Sequence, residues 1–460
     1  MPTTCAATVR RVQAPASTPG LCAALRAGGP GFFLDSVIDV GGSGRHSFMG
    51  VEPFLVFRSK GRRIEVQRRG AEADELEGDP FEVLRALLRQ HRAPRPAGAP
   101  PFFGGAVGYF GYDLRHHIEE CSAIAVDDCP VPDCYLGFYD AVIGVDHHEG
   151  EAYVCTVGEN AEERAERLEG TVAEAGAAPE PSEGAPIGGE PQSNFTRAEY
   201  VAAVERTKEY IAAGDIIQAN LSQRFSAPLS TDPFDVYLRL RGANPAPFAA
   251  WLDCGDVCVA SSSPELFLRV EGREVMTRPI KGTRPRGRTE AEDAALRREL
   301  VESEKDRAEL LMITDLERND LGRVCEYGSV RVPQLFTAET YATVHHLVAT
   351  VTGSLREGVD CAELLRASFP GGSITGAPKI RAMEIIDELE PTRRGVYTGA
   401  IGYIGFDGSM ELNIAIRTLV MREDMVHFQV GGGIVADSDP EAEYEETLDK
   451  AKGLMEALGA

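Results

Sequence analysis

A lysine in a proline-braced basic stretch, glutamates at helical spacing and an arginine inside an apolar run are the residues here whose types could do chemistry. Lys281 lies in "RPIKGTRPRG", Arg278 to Gly287. Pro279 and Pro285 fix φ, while Gly282 and Gly287 permit bends that other residues resist. The pattern predicts a stiff basic turn that sets Lys281 close in sequence to Arg278, Arg284 and Arg286. An amine there either holds an anion as a point charge or, once neutral, attacks carbon.

The C-terminal stretch "GGGIVADSDPEAEYEETLDKAKGLMEAL" predicts a strand into Gly431, Gly432 and Gly433, then a helix capped near Ser438 or Asp439 with Pro440 in its first turn. Six acidic residues crowd that helix start, so a phosphate would be repelled and a dinucleotide loop is rejected. Glu443, Glu446 and Lys450 fall on one helix face. That spacing describes an ordinary solvated face, and equally carboxylates for Mg²⁺, which takes one or two of them plus water and substrate oxygens. In "DRAELLMITDLERNDLGRV" a helix would set Glu309 on the face of Met312, Ile313 and Leu316. The face could equally let Glu309 reach solvent. Among apolar neighbours stand His346, Ser373 and Arg417. A lone histidine is usually a satisfied core residue, whereas the guanidinium in "LNIAIRTLV" must pair with a carboxylate or an anion.

The elements that position these groups come from a chain of 460 residues with 47 basic and 72 acidic side chains, a net charge of −25. Such a balance argues against nucleic acid or an anionic membrane as partner and leaves a small anion as the ligand for a local basic patch. Ten cysteines without zinc spacing, no apolar leader and no membrane-length run place the protein in the cytoplasm. Residues 173–194, rich in Pro, Gly, Glu and Ser, read as a flexible linker between an N-terminal region, 1–172, and a C-terminal domain, 195–460. Both parts alternate strand-like and helix-like runs, a mixed α/β pattern. "GAVGYFGYD" at 105–113 echoes "GAIGYIGFD" at 399–407, which suggests a duplicated architecture or convergent glycine-rich strands.

Taken together, "GDIIQANLSQRF", "SSSPELFLR", "RPIKGTRPRG", "ELLMITDLERNDLGRV", "HHLVATVTG", "GGSITGAPKIRAMEIIDELEP", "LNIAIRTL" and "GGGIVADSDPEAEYEETLDKA" resemble the chorismate-utilising enzyme family across 195–460, and "FFGGAVGYFGYDL" extends the likeness to the N-terminal part. The resemblance implies an α/β (α+β) multilayer sandwich of two packed, largely antiparallel sheets flanked by helices. It also implies a Mg²⁺-dependent site for chorismate, a dicarboxylate. Glu309 and Glu446 would be the Mg²⁺ ligands, with Glu443 acting through water. Arg417, Tyr403, Ser373, Lys450 and the amides of Gly431, Gly432 and Gly433 would hold carboxylates. Gly282 and Thr283 would line the ring pocket, and His346 would sit near the reacting carbons.

Within the family, Gln218 stands where water-adding members carry a lysine, which disfavours hydration because an amide is no base. The anthranilate-forming branch has alanine in place of Lys281. "PIKGT" instead resembles the branch that makes 4-amino-4-deoxychorismate, in which the lysine attacks C2 as the C4 hydroxyl leaves and ammonia then displaces it at C4. A neutral amine requires desolvation, helped by Arg278, Arg284 and Arg286 if they face it. The chain shows no glutaminase motif, so a separate glutamine amidotransferase subunit would supply ammonia. Ser36, Ser47, Phe48, Met49, Asn244, Pro245 and Phe248 resemble the family's tryptophan pocket, although core packing would use the same residues. The competing expectations are an anthranilate-forming enzyme and a non-catalytic subunit that only docks its amidotransferase.

Overall fold

The computed structural model describes residues 7–175, 186, 189–341 and 344–459. Two 12-stranded sheets organise the chain. The first runs in spatial order Ala7–Gln13, Glu151–Val157, Ala141–Asp146, His46–Val51, Gly31–Asp35, Phe248–Asp253, Val257–Ser263, Thr418–Arg422, Met425–Ile434, Gln218–Pro228 and Gln192–Ser193, with Gly376–Ala377 also on Gln218–Pro228. The second runs Ile280–Pro285, Val344–Ser354, Glu274–Arg278, Leu266–Glu271, Met410–Ile414, Ala400–Gly405, Gly105–Phe110, Cys134–Tyr139, Leu55–Lys60, Arg63–Arg68 and Ala73–Glu77, with Arg331–Thr340 also on Val344–Ser354. Ladder partners in both sheets are antiparallel.

The sheets pack face to face. Phe48 of the first meets Tyr403 of the second with ring centroids 5.8 Å apart, and Phe102 lies 4.5 Å from Tyr403. Helices Pro233–Ala243 and Pro440–Leu458 cover the outer face of the first sheet through Leu240 and Leu454. Pro80–Gln90, Glu304–Gly322 and Cys361–Ser368 cover the second through Leu84, Leu321 and Leu364. Strands with cover on both faces are buried at every position, as in Gly105–Phe110 and Ala400–Gly405, whereas the peripheral Leu55–Lys60 buries alternate residues. The expected sandwich of two antiparallel sheets between helices is the one present. Both sheets draw strands from both ends of the chain: Gly31–Asp35 pairs with Phe248–Asp253, and Gly105–Phe110 with Ala400–Gly405. Helix Ala161–Ala175 enters the stretch read as a linker, and Gln192–Ser193 leaves it by pairing with Ser226 and Phe225; residues 176–185 and 187–188 lie outside the described residues.

Two local readings change. The echoing segments are neighbours, with Gly108 opposite Gly402. A Cβ at Gly108 or Gly402 would come within 1.9 or 2.0 Å of a backbone oxygen, so close strand approach accounts for these glycines. The segment "CVASSSPELFLRV" forms two strands, Val257–Ser263 in the first sheet and Leu266–Glu271 in the second, and the chain crosses between sheets at Pro264–Glu265. It crosses back between Met410–Ile414 and Thr418–Arg422, so Arg417 sits on the seam, at φ +51°, and not in mid-strand.

The basic turn is also an edge strand. Ile280–Pro285 pairs with Val344–Ser354, and the register slips between Lys281 and Thr283, opposite Leu347 and His346. Gly282, at φ +71°, is the bulged residue, which re-aims the side chains beside it. A Cβ there would also stand 2.9 Å from the Cβ of Asp306. Among the described residues no helix is long and apolar enough to cross a membrane, and the nine cysteines are free thiols. We expect Gly282→Ala to lower unfolding free energy by about 1–3 kcal/mol through the left-handed backbone and the contact with Asp306. Chemical denaturation checks this, and a midpoint equal to wild type would contradict it.

Candidate active site

The seam between the sheets gathers the charged groups. Where the chain crosses at Pro264–Glu265, the Glu265 carbonyl accepts from the Ile414 amide, and Ser263 Oγ donates to the Ile414 carbonyl at 2.6 Å. These bonds fasten one crossing to the other, which carries Arg417. Glu265 is 5% exposed, and burial raises its pKa. The Ser373 hydroxyl and the Lys281 amine both favour its charged form.

Lys281 is half-buried and its Nζ donates to the Ser373 carbonyl at 3.0 Å. Desolvation lowers its pKa first and Lys450 adds to this, while Glu309, Glu265 and Glu446 oppose. The three arginines of the basic stretch do not contribute. Arg278 pairs with Glu339, Arg284 with Glu299 and Asp306, and Arg286 with Asp293. Each charge is neutralised where it stands: helix Glu290–Glu302 supplies Asp293 and Glu299, helix Glu304–Gly322 supplies Asp306, and strand Arg331–Thr340 supplies Glu339.

Facing Lys281, Glu309 on helix Glu304–Gly322 has a pKa raised by burial, and Lys305 lies 4.0 Å away. Helix Pro440–Leu458 starts at an Asp439 cap, whose Oδ1 accepts from the Ala442 amide at 2.9 Å, with Pro440 in its first turn. Ser438 donates instead to Glu443 Oε1 at 2.6 Å. One turn on, Lys450 Nζ pairs with Glu446 Oε1 at 2.7 Å and donates to the Gly431 carbonyl at 2.9 Å. Burial raises the pKa of Glu443, whereas Lys450 holds Glu446 below the usual carboxylate range. These three side chains roof Gly432: a methyl there would lie 3.1 Å from Glu443 Oε2, 3.6 Å from Glu446 Oε1 and 3.8 Å from Lys450 Nζ. Gly431, Gly432 and Gly433 are ladder residues opposite Ser222, Leu221 and Asn220.

Among the described residues no three acidic, His or Cys side chains close into a preformed metal cluster. Two carboxylates over Gly432, with Glu309 coupled electrostatically to Glu446, still fit Mg²⁺, which keeps several waters and takes substrate oxygens.

Several polar groups lack a protein partner. Arg417 Nη1 reaches only Asn244 Oδ1, at 3.3 Å, and among the described residues no carboxylate pairs with it; burial lowers its pKa. Gln218 is wholly buried with neither amide atom bonded, and a methyl at Gly433 would stand 2.7 Å from its Nε2. His346 Nδ1 is hydrogen-bonded to Thr283 Oγ1 at 3.0 Å, beside Gly282, while its buried Nε2 has no partner. Burial and Arg417 push its pKa down to about 3, so the ring is neutral.

Tyr403 stands apart. It belongs to the inter-sheet aromatic cluster with Phe48 and Phe102, among Glu411 and Arg269. Tyr397 is nearer to Arg417, since the next residue, Thr398, donates its amide to the Ala415 carbonyl. The proposed tryptophan-pocket residues split into two adjoining groups. Ser47 Oγ donates to Asp35 Oδ1 at 3.2 Å and is bonded to His147 Nε2 at 2.7 Å, and the Ser36 amide donates to Ser47 Oγ at 3.0 Å. Met49, with Phe48, is buried in the same strand. Asn244 touches Arg417, Pro245 follows it, and the Phe248 carbonyl accepts from Asn413 at 2.9 Å.

Sequence reasoning assigned no role to Glu265. It stands inside a quoted motif, in "SSSPEL", and the only signal was an acid after proline between two apolar runs. Arg394 was also missed. It makes a bidentate pair with Glu390 at 2.7 and 2.9 Å and donates to the Ile374 and Asn220 carbonyls.

This architecture is that of a known family. The chain belongs to the chorismate binding enzyme family, matching it over residues 42–456. It is 43% identical to the anthranilate synthase component 1 of Thermus thermophilus over 438 residues, 93% of this chain and 92% of that protein. It is 41% identical to the aminodeoxychorismate synthase component 1 of Bacillus subtilis over 421 residues, 90% and 89% of the two chains. The crystal structure of anthranilate synthase component I from Streptococcus pneumoniae superposes with a TM-score of 0.79 at 33% identity, covering 89% of this chain and 92% of that one.

Removing Arg417 deprives no carboxylate of a partner, whereas removing Arg394 orphans buried Glu390. Arg417→Met is therefore expected to leave unfolding free energy unchanged or higher, yet to weaken chorismate binding about 10- to 100-fold. Arg394→Met costs about 3–5 kcal/mol of stability. Denaturation and calorimetric titration of both variants check the contrast; an unstable Arg417→Met protein would contradict it. The ring of His346 is expected to show neutral ¹⁵N shifts from pH 5 to pH 8, and a titration in that range would refute the desolvated site.

Proposed function

We infer that this enzyme aminates chorismate at C4 to 4-amino-4-deoxychorismate, with Lys281 as a covalent nucleophile. The observation that carries the reading is the desolvated Lys281 amine, held by the Ser373 carbonyl beside Glu265 and Glu309. Burial moves Lys281 toward the neutral amine that a nucleophile needs, against the opposing carboxylates of Glu309, Glu265 and Glu446. Relatives named for anthranilate and for aminodeoxychorismate synthesis are equally similar, so this residue and not overall identity separates the two products.

Chorismate is a dianion, and Arg417 and Lys450 supply cationic groups for its carboxylates. Gln218, with its unsatisfied amide, donates to the substrate and cannot deprotonate water, which favours ammonia over hydration as the added nucleophile. Glu309, Glu443 and Glu446 would hold Mg²⁺, which supplies Lewis-acid stabilisation of the leaving hydroxyl. The Nζ lone pair of Lys281 forms a bond to C2, both ring double bonds shift and the C4–O bond breaks. Glu265 takes the proton shed by Nζ and passes it to the departing hydroxyl, which leaves as water. Ammonia then bonds to C4 and gives its surplus proton through Glu265 to Nζ as the double bonds return and the C2–N bond breaks, restoring neutral Lys281. The net change is chorismate plus ammonia to aminodeoxychorismate plus water. His346, neutral and packed on Tyr341 at 5.0 Å, shapes the ring pocket with Gly282 and Thr283 instead of moving protons.

The ammonia comes from a glutamine amidotransferase subunit, the partner that a component 1 name implies for the relatives. Free thiols suit a cytoplasmic location. Incubation with chorismate, Mg²⁺ and ammonium should give the non-aromatic amine by mass, and Lys281→Ala should slow its formation by about 10²-fold or more. Anthranilate as the product, or a Lys281→Ala variant as fast as wild type, would overturn the assignment.

A further inference from the structure

Four large aliphatic side chains are left at the surface where three segments meet. Ile124, Val126, Ile217 and Ile380 are 67, 60, 61 and 44% exposed. Each is anchored around helix Lys379–Leu389. The Ile124 amide donates to Asp387 Oδ2 at 2.7 Å, the Val126 amide to the Pro391 carbonyl at 3.1 Å and the Ile217 amide to the Ala377 carbonyl at 2.7 Å, while Ile380 lies in the helix's first turn. Single exposed aliphatics are normal, but four around one helix, three of them fixed by backbone bonds, form a patch. A groove beside Ile124 is edged by Glu120, Glu384 and Glu388 with Arg381 between them. Arg381 is already paired with Asp215 and Glu384, at 3.2 and 2.8 Å. The rim is therefore acidic.

The position of this patch identifies what covers it. Ile217 precedes Gln218, whose wholly buried, unbonded amide lies against Gly433. Ala377, to which Ile217 is bonded, closes the segment that starts at Ser373, and the Ser373 carbonyl holds the Lys281 amine. Patch and reacting centre are thus two faces of one layer of chain. At neutral pH free ammonia is mostly ammonium, which is no nucleophile, so nitrogen released next to this layer has the shortest way to C4.

Resting on the amination reading above, we propose that the face formed by Ile124, Val126, Ile217 and Ile380 docks the subunit that releases ammonia from glutamine. That subunit presents apolar side chains ringed by lysine or arginine, complementary to the acidic rim. The test uses the full chain with the co-expressed glutamine amidotransferase subunit of the same organism, comparing wild type with Ile124→Asp and Ile380→Asp. Glutamine-supported amination should fall at least about tenfold and the complex should be lost in sedimentation, while ammonium-supported amination stays within about twofold. Unchanged glutamine-supported rates with the complex intact overturn the proposal. So does a wild-type homodimer that either variant turns into a monomer, since a second copy would then own the face. If wild type lacks ammonium-supported amination, the reaction assignment fails, and sedimentation still decides the docking.

Discussion

The ion pair between Arg394 and Glu390 holds the frame of the site. Arg394 donates to the carbonyls of Ile374 and Asn220 and to Thr398 Oγ1, and Glu390 accepts from the amide and hydroxyl of Ser222. One buried pair so ties the first sheet, the segment that carries Ser373 and the crossing that leads to Arg417. Its charges are costly to bury alone, and their hydrogen bonds leave little of either group unsatisfied. Arg417 stands in contrast a short way along the chain, desolvated and without a carboxylate. One guanidinium is thus neutralised by many bonds while the second keeps a single long contact to Asn244, which suits the carboxylate-binding role proposed for it.

The seam between the sheets explains why reacting groups from distant parts of the sequence converge. A strand residue inside a ladder has its backbone committed and its side chain fixed to one face. Where the chain passes between sheets, at Glu265 and at Arg417, side chains leave that alternation and turn toward the gap at the sheet edge. Gly282 achieves the same for Lys281 by a bulge in an edge strand. The helices then contribute Glu309, Glu443 and Glu446 from opposite sides, and the carboxylates oppose the desolvation that would otherwise make the Lys281 ammonium still less favourable.

Much of this was legible in residue order. The helix over Pro440–Leu458 announced itself through Asp439 and Pro440, and the face shared by Glu443, Glu446 and Lys450 follows from helical spacing. The double-sheet sandwich came from resemblance, since alternation alone reports only mixed α/β. What stayed hidden depends on contacts distant in sequence. The basic stretch looked like a turn because prolines and glycines mark turns, and only pairing with Val344–Ser354 makes it a strand. Arg417 looked like a mid-strand residue because an apolar run does not show where it changes sheets. Resemblance alone places Tyr403 at the substrate, yet an inter-sheet core uses it as an aromatic. Arg278, Arg284 and Arg286 seemed to surround Lys281, whereas carboxylates from two helices and a neighbouring strand pair with each of them.

The mingling of early and late strands also sets a clock for assembly. Gly105–Phe110 is completed on its exposed side by Ala400–Gly405, and the two lie some 300 residues apart in the chain. At a synthesis rate of about 5–20 residues per second, that edge waits for about 15–60 s on the ribosome before its partner exists. During that interval a glycine-rich, apolar strand is open to whatever else can add to it. The finished sheet therefore depends on an edge that cannot be closed until the last part of the chain is made.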